Sequence, residues 1–206
     1  MPEILGIIRE DLPVVARIHR LAFPGSALTA LGDGAVRRYY LWQIDGPHDC
    51  TALKATVDGR LSGFCFGGVF RGALGGFLQA HRNYLALRVL THPWLIANPL
   101  FRDRLHSGLR VLRRRSTAPP AEKGPRQPDS YAILSIAVDP AVRGAGIGRS
   151  LMLAAESDAI SRGFNRMHLT VDPANTVAIR FYEGLGWRRL PAGEGWNGAM
   201  TREIGG

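Results

Sequence analysis

From Val138 to Gly148 the chain reads Val-Asp-Pro-Ala-Val-Arg-Gly-Ala-Gly-Ile-Gly. A strand-like run ends there in a glycine-rich turn that opens a helix. Glycine lets the backbone approach a ligand closely and adopt positive φ. The first-turn N–H groups of a helix have no acceptor inside it, and they lie at the positive end of its dipole. Together these features make an anion cradle suited to a pyrophosphate, and Arg143 adds a fixed charge at its rim. The spacing excludes two common nucleotide cradles. A dinucleotide fold needs G-x-G-x-x-G inside an early βαβ unit, whereas Gly144, Gly146 and Gly148 give G-x-G-x-G. A P-loop needs Lys-Ser/Thr after its last glycine, and here Arg149-Ser150 follows.

Other chemistry-bearing residues are sparser. His168 could act as a base on a strand, but alternation puts Met167, Leu169 and Val171 on the other face, and strand histidines are usually structural. Glu156 reads as a solvated charge on the helix after the cradle. His19, His81, His92 and His106 show no metal-ligand spacing with cysteine or one another, so no metal site is expected.

Arg143-Gly144-Ala145-Gly146-Ile147-Gly148 resembles the R/Q-x-x-G-x-G/A motif of the GNAT acetyltransferases. The preceding Leu134-Ser135-Ile136-Ala137-Val138-Asp139-Pro140 looks like that family's fourth strand. Asn175, Ala178, Phe181-Tyr182-Glu183 and Gly186-Trp187 are similar to its N-x-x-A-x-x-F-Y-E/K-x-x-G-F/W pattern. The close match covers about Tyr131 to Leu190; the N-terminal half fits by element order only.

The resemblance implies an α/β (α+β) acyl-CoA transferase fold. Its mixed, mostly antiparallel sheet is splayed between strands four and five and flanked by helices. Acetyl-CoA is the implied cofactor. Backbone groups at Ile136, Ala137 and Val138 would hold its pantetheine arm, and those from Arg143 through Gly144, Ala145, Gly146, Ile147 and Gly148 to Arg149 its pyrophosphate. Asn175 and Ala178 would line the cofactor arm. Tyr182 would sit near the sulfur and protonate the leaving thiolate, a task a phenol suits; the bland alternative is a core aromatic. Ser135, on the cofactor strand, could pass a proton through water. Phe23, Leu31, Tyr39 and Tyr40 lie where the family builds its acceptor pocket, although a helix break followed by core aromatics would read the same way.

Several elements must position these residues. Ile4–Arg9 reads as a strand. Asp11 is a plausible N-cap, with Pro13 inside a helix reaching about Phe23. Pro24-Gly25-Ser26 breaks that helix, and another covers Ala35–Gln43. Cys50–Val57 and Arg60–Phe70 form a hairpin around Asp58-Gly59. An uninterrupted register would put Val57 opposite Arg60 and Ala52 opposite Cys65, with Cys50 a diagonal neighbour too far away to bridge. From about 71 to 115 a basic helical insertion is expected. It carries Arg71, Arg82, Arg88, Arg102, Arg104, Arg110, Arg113, Arg114 and Arg115 against a single acid, Asp103. In it Phe101, Leu105, Leu109 and Leu112 make one apolar stripe. A proline-rich loop follows at about 116–129. Then come Tyr131–Val138 (strand), Ile147–Ser161 (helix), Arg166–Val171 (strand), Thr176–Leu185 (helix) and the strand-like Trp187–Leu190 and Gly198–Glu203.

The 206 residues are 46% hydrophobic, enough for a single domain over 1–206 but not for two large ones. Two cysteines argue against a disulfide scaffold, and the first ten residues lack a signal-peptide core. The greasy stretch Tyr84–Phe101 is interrupted by charge and proline. These features point to a cytoplasmic protein. A net charge of +9 favours anionic partners. The function expected is acetyl transfer to a primary amine of a small molecule, an amino sugar on a nucleoside diphosphate being one anionic acceptor that fits. The alternatives are a protein or peptide amine acceptor, or a non-catalytic acyl-CoA sensor. Nucleic acid is not expected, because stacking aromatics are scarce among the basic residues. Membrane-surface docking is the weaker reading of the insertion, and a homodimer is one option for an oligomeric state left open.

Overall fold

The computed structural model describes residues 2–70, 72–91, 130–191 and 195–205. These group into two compact units: Met1–Ile7, Asp49–Phe70 and Gln127–Gly206 form the first, Ile8–His48 and Arg71–Arg126 the second. The stripe Phe101–Leu112, the arginines at 71, 102, 104, 110 and 113–115, and the proline-rich loop lie outside the described residues.

The first unit is built on seven strands: β1 (Glu3–Gly6), β2 (Asp49–Val57), β3 (Arg60–Val69), β4 (Tyr131–Val138), β5 (Arg166–Thr170), β6 (Arg188–Arg189) and β7 (Ala199–Glu203). Their order is β1-β2-β3-β4-β5-β7-β6. Among the described residues only the β4–β5 pairing is parallel, and the others are antiparallel. Asp58 and Gly59 both take positive φ (51° and 71°), as a two-residue hairpin turn requires. Val57 therefore faces Arg60 as expected. The expected register then fails, because Thr56 pairs with Leu61 but Ala55 with Gly63. Ser62 is an extra residue in β3, so Leu53 and not Ala52 opposes Cys65, and Cys50 opposes Gly68. Both thiols are free, and burial pushes each up to about 12.

A second bulge lies in β4. Gly67 pairs with Ile133 while Phe66 pairs with Ser135, which leaves Leu134 as the extra residue. A bulge reverses the side-chain alternation beyond it. Tyr131 and Ile133 enter the same core cluster as Ile136 and Val138, an odd step that an unbroken strand could not make. Helix α6 (Ile147–Ser161) lays Ile147, Leu151, Met152, Ala155 and Ala159 into this cluster, and α7 (Thr176–Glu183) adds Ile179 and Tyr182. That spacing is the apolar stripe of an amphipathic helix.

At its C-terminal end α6 is stitched to the sheet by polar contacts. The Asp158 carboxylate accepts from Thr51 Oγ1 (2.7 Å), Tyr131 Oη (2.8 Å) and Arg162 (3.3 Å), and Arg162 also pairs with Asp49. Glu156 is not a solvated charge: it accepts from Arg202 on β7 at 2.8 Å, and both side chains are largely covered.

In the second unit α1 (Leu12–Ala22), α2 (Ala27–Ala30) and α3 (Asp33–Asp45) are joined by α4 (Ala73–Ala80) and α5 (Arg82–Thr91). Asp11 occupies the N-cap position of α1 with Pro13 inside the first turn. Its carboxylate, however, accepts from the Ile8 N–H upstream (2.9 Å). That turn ends β1 at Gly6 rather than at Arg9. Trp42 Nε1 donates to the Ala73 carbonyl at 3.1 Å. Arg88 donates through Nε and Nη2 to the Leu31 carbonyl (3.1 and 3.0 Å), and Arg38 lies 4.0 Å from the Tyr84 ring centroid. The described part of the insertion is thus a packed helical pair, not a free basic arm.

Asp158→Ala would leave the Tyr131 phenol and the Thr51 hydroxyl without their acceptor and Arg162 without one of its anions. Unfolding in urea should show a loss of about 2–3 kcal/mol; a change under about 0.5 kcal/mol would mean the cluster contributes no net stability.

Candidate active site

Among the described residues, β4 has a neighbour on one side only beyond the bulge. Its parallel ladder with β5 runs through Tyr131↔Met167, Ala132↔His168 and Ile133↔Leu169 and stops there, whereas the β3 ladder continues to Gly63↔Val138. The Asp139 N–H donates to the Ser62 carbonyl on β3 at 2.8 Å. Successive backbone groups of a strand point to opposite sides, so Val138 and Ile136 turn their N–H groups toward the gap left by β5. Ala137, between them, pairs with Phe64 on β3. The expected splay between strands four and five is present, with the bulge at its root.

The gap opens toward the start of α6. Gly146 is the N-cap at φ 72° and ψ 3°, without a side-chain cap, and Gly144 lies at φ 87°. A Cβ on either would meet nothing within 4 Å. The first N–H of this turn to find a carbonyl is that of Ser150, which donates to Gly146 at 3.0 Å. Among the described residues, the N–H groups of 143–149 donate to no backbone carbonyl. Arg143 and Arg149 are exposed beside them. This donor-rich, uncovered turn fits a pyrophosphate.

Gly148 differs from the other two glycines. A Cβ there would stand 3.3 Å from Phe181 Cζ and 3.8 Å from Val138 Cγ2. The loop, the end of β4 and α7 therefore converge at Gly148. Tyr182 follows Phe181 and is buried; burial, with Cys65 nearby, pushes its phenol above the ordinary value. The proton stays on that oxygen throughout the neutral range. Asn175 is the N-cap of α7, its Oδ1 accepting from the Ala178 N–H at 3.1 Å; both residues sit in the first turn of that helix. Ser135 pairs with Phe66 on β3, and the bulge sets it off the face that carries Ile136 and Val138. His168 is exposed on β5 and bonded through Nδ1 to Ser130 (2.8 Å).

Comparison with known proteins shows the family and the fold. The model of the acetyltransferase (GNAT) family matches residues 14–187. The chain belongs to the GNAT family. Mycothiol acetyltransferase from Thermobispora bispora is 50% identical over 54 residues, 26% of this chain and 18% of that protein, so the likeness covers under a fifth of the relative's length. Among solved structures, PaiA N-acetyltransferase from Thermoplasma acidophilum in complex with coenzyme A superposes with a TM-score of 0.59 at 14% identity, covering 99% of both chains. An acetyltransferase from Thermus thermophilus gives 0.58 at 13% identity, over 99% of this chain and 97% of that one. At these identities the likeness is one of fold. Among the described residues no cluster could hold a metal ion, and no helix is long and apolar enough to cross a membrane.

The four residues expected at the acceptor of this GNAT chain belong to the second unit. Tyr40 is fully buried, Leu31 is nearly so and packs with Ala35, and Phe23 and Tyr39 are half-buried. Phe23 and Tyr40 meet around His19, whose ring lies 4.9 and 5.6 Å from theirs; Tyr39 touches Tyr40 and Phe77. His19 joins a hydrogen-bond relay that the sequence does not announce. Thr29 Oγ1 donates to the Phe23 carbonyl (2.8 Å) and Ser26 Oγ donates to Thr29 Oγ1 (2.9 Å). The Ser26 proton is thereby used, so His19 Nε2–H donates to Ser26 (3.3 Å) and Nδ1 accepts from Tyr40 Oη (2.8 Å). The ring is neutral, and burial lowers its pKa from 6.5 to about 4.

A depressed histidine binds its proton later in the folded state than in the unfolded chain. Its neutral form therefore stabilises the fold above pH 6.5, and that contribution is lost as the pH falls toward about 4. Urea titrations of wild type and His19→Gln should show their stability difference shrinking by up to about 3 kcal/mol across this window; a difference that does not vary with pH would mean that folding leaves the His19 pKa unshifted.

Proposed function

We propose that this chain transfers acetyl from acetyl-CoA to the primary amine of a small molecule by direct attack on the thioester. The observation that carries this reading is the convergence at Gly148 of the one-sided end of β4, the uncovered first turn of α6 and the Phe181-Tyr182 pair of α7. Acetyl-CoA supplies the activated acyl group. The gap-facing N–H groups of Ile136 and Val138 would hold the pantetheine arm and polarise the thioester carbonyl, and those of Arg143 to Arg149 would hold the pyrophosphate. Asn175, already engaged as a cap, would reach the cofactor arm with its remaining amide group, and Ala178 keeps the first turn of α7 small beside it.

These residues cover what the chemistry needs: orientation of two reactants, stabilisation of an oxyanion and management of two protons. A C–N bond forms as the C–S bond breaks. The neutral amine attacks, the proton then carried by its nitrogen leaves to water with Ser135 as a relay, the thiolate takes a proton from Tyr182 Oη, and the phenolate regains one from water. A small-molecule acceptor is supported by relatives that carry the name mycothiol acetyltransferase. An anionic one is supported by the net charge of +9, which disfavours lysine-rich tails and polyamines. The cytoplasm fits both partners.

The cradle and the acid are tested separately. Gly146 holds φ 72°, a region costly for a β-branched residue. Gly146→Val should fold and lose acetyl-CoA affinity by about tenfold or more in calorimetric titration, since the N–H groups no longer converge; unchanged affinity would remove the cradle from the reading. Thiol release from acetyl-CoA is then followed with glucosamine, glucosamine phosphate, a nucleoside-diphosphate amino sugar and a lysine peptide. With the fastest of these amines, Tyr182→Phe should lower kcat roughly 10²- to 10⁴-fold and leave KM nearly constant. Failure of every amine to release thiol would overturn the enzyme reading.

A further inference from the structure

The proton shed by the amine needs an acceptor, and one imidazole of the first unit stands at the root of the gap. His168 is the one histidine in that unit, and Leu169 beside it is the last residue of β5 to pair with β4. We propose that His168 Nε2 takes the proton shed by the attacking amine, delivered by Ser135 and one water, while Ser130 fixes the tautomer of the ring. This deepens the acetyl-transfer reading and rests on it.

The direction of attack selects the face. Hydrogen-bond donors lie near the plane of a carbonyl group, so a thioester whose oxygen accepts from the gap-facing N–H groups of β4 lies close to the plane of the sheet. An amine adds perpendicular to that plane. One perpendicular is closed, because Ile136 and Val138 pack into the core cluster with α6 and α7. On the other face β4 presents Ser135 and Ala137, paired with the fully buried Phe66 and Phe64. There β5 presents His168 and Thr170, both exposed, so the open approach runs over β5. The bulge at Leu134 makes Ser135 the next residue on this face after Ala132, the partner of His168. Ser135 and His168 are thereby diagonal neighbours across the ladder, a spacing suited to a bridging water.

The ring is set up to accept. His168 Nδ1 lies 2.8 Å from Ser130 Oγ. When Nδ1–H donates there, the lone pair sits on Nε2, which meets no partner among the described residues. Burial lowers the pKa of the ring below the ordinary 6.5, so it is neutral at neutral pH. The charged groups on its face are Arg166, paired with Glu203 of β7 at 2.8 Å, and Arg188 of β6, opposite the Thr201 that faces His168. Glu203 is engaged by Arg166, so the imidazolium finds no fixed counter-ion in this set. The nitrogen keeps its new C–N bond, its proton moves to Nε2, and the exposed ring then returns that proton to solvent.

The test has two independent arms. Nitrogen NMR of the His168 ring in the free protein should show the Nδ1–H tautomer at neutral pH and a titration below pH 6.5; in Ser130→Ala the tautomer preference should be lost. A ring protonated at Nε2, or charged at neutral pH, overturns the proposal. In turnover, the fastest amine of the panel is followed across pH. The acid side of the wild-type kcat/KM profile should show two ionisations, that of the amine and that of His168. His168→Gln should lower kcat about 10²-fold at neutral pH, hold acetyl-CoA affinity within about twofold, and leave only the amine ionisation in the profile. A wild-type profile in His168→Gln, or a loss confined to cofactor affinity, overturns the proposal and leaves the acetyl-transfer reading standing. If no amine of the panel releases thiol, that reading and this proposal fall together.

Discussion

A central strand has two hydrogen-bonding edges, and in an ordinary sheet both are consumed by neighbours. In β4 one inserted residue, Leu134, changes that allocation. Before it, β4 is paired on both sides; after it, the β3 ladder persists and the β5 ladder is gone. The rest of the site follows from this. The gap exposes the N–H groups of Ile136 and Val138, and the strand continues through Asp139 into the turn that opens α6. The altered alternation also sends Ile136 and Val138 toward the helices and leaves Ser135 on the other face. A strand without the bulge would put Ser135 under α6 and lose the donors to β5.

The helix and strand boundaries around the cradle were legible in the sequence: Tyr131–Val138 and Ile147–Ser161 are observed as read. Glycine, proline and apolar periodicity act locally there, and local signals are what a sequence displays. The two bulges were not legible. Leu134-Ser135-Ile136-Ala137-Val138 carries no glycine or proline to mark an insertion, and apolar residues on both faces hide a change of phase. Ser62 was missed although Gly63 follows it, because a glycine next to a strand residue does not say which residue is extra, and the Cys65 partner was misassigned as a result.

Side-chain roles were less legible than elements. Glu156 looked solvated because its partner Arg202 lies on β7, far away in sequence. His19 offered no spacing signal, since its relay joins α1, the break after it and α3 through hydroxyls whose partners are set by tertiary packing. Tyr40 and Leu31, read as acceptor contacts from their position, are buried in the second unit. Arg88 read as one charge in a basic run, yet it holds the Leu31 carbonyl with two donors.

The gap between β4 and β5 also bears on solubility. Unpaired strand edges invite pairing with other molecules, and proteins usually shorten or cover them. The outer strands obey this rule, with four residues in β1 and two in β6. The longer unpaired edge is an interior one, flanked by β3 on one side and β5 on the other. A foreign sheet cannot lie flat against it, because its next strand would collide with β5. Only a single extended chain of one strand's width can enter, so the fold can leave this edge open without templating its own aggregation.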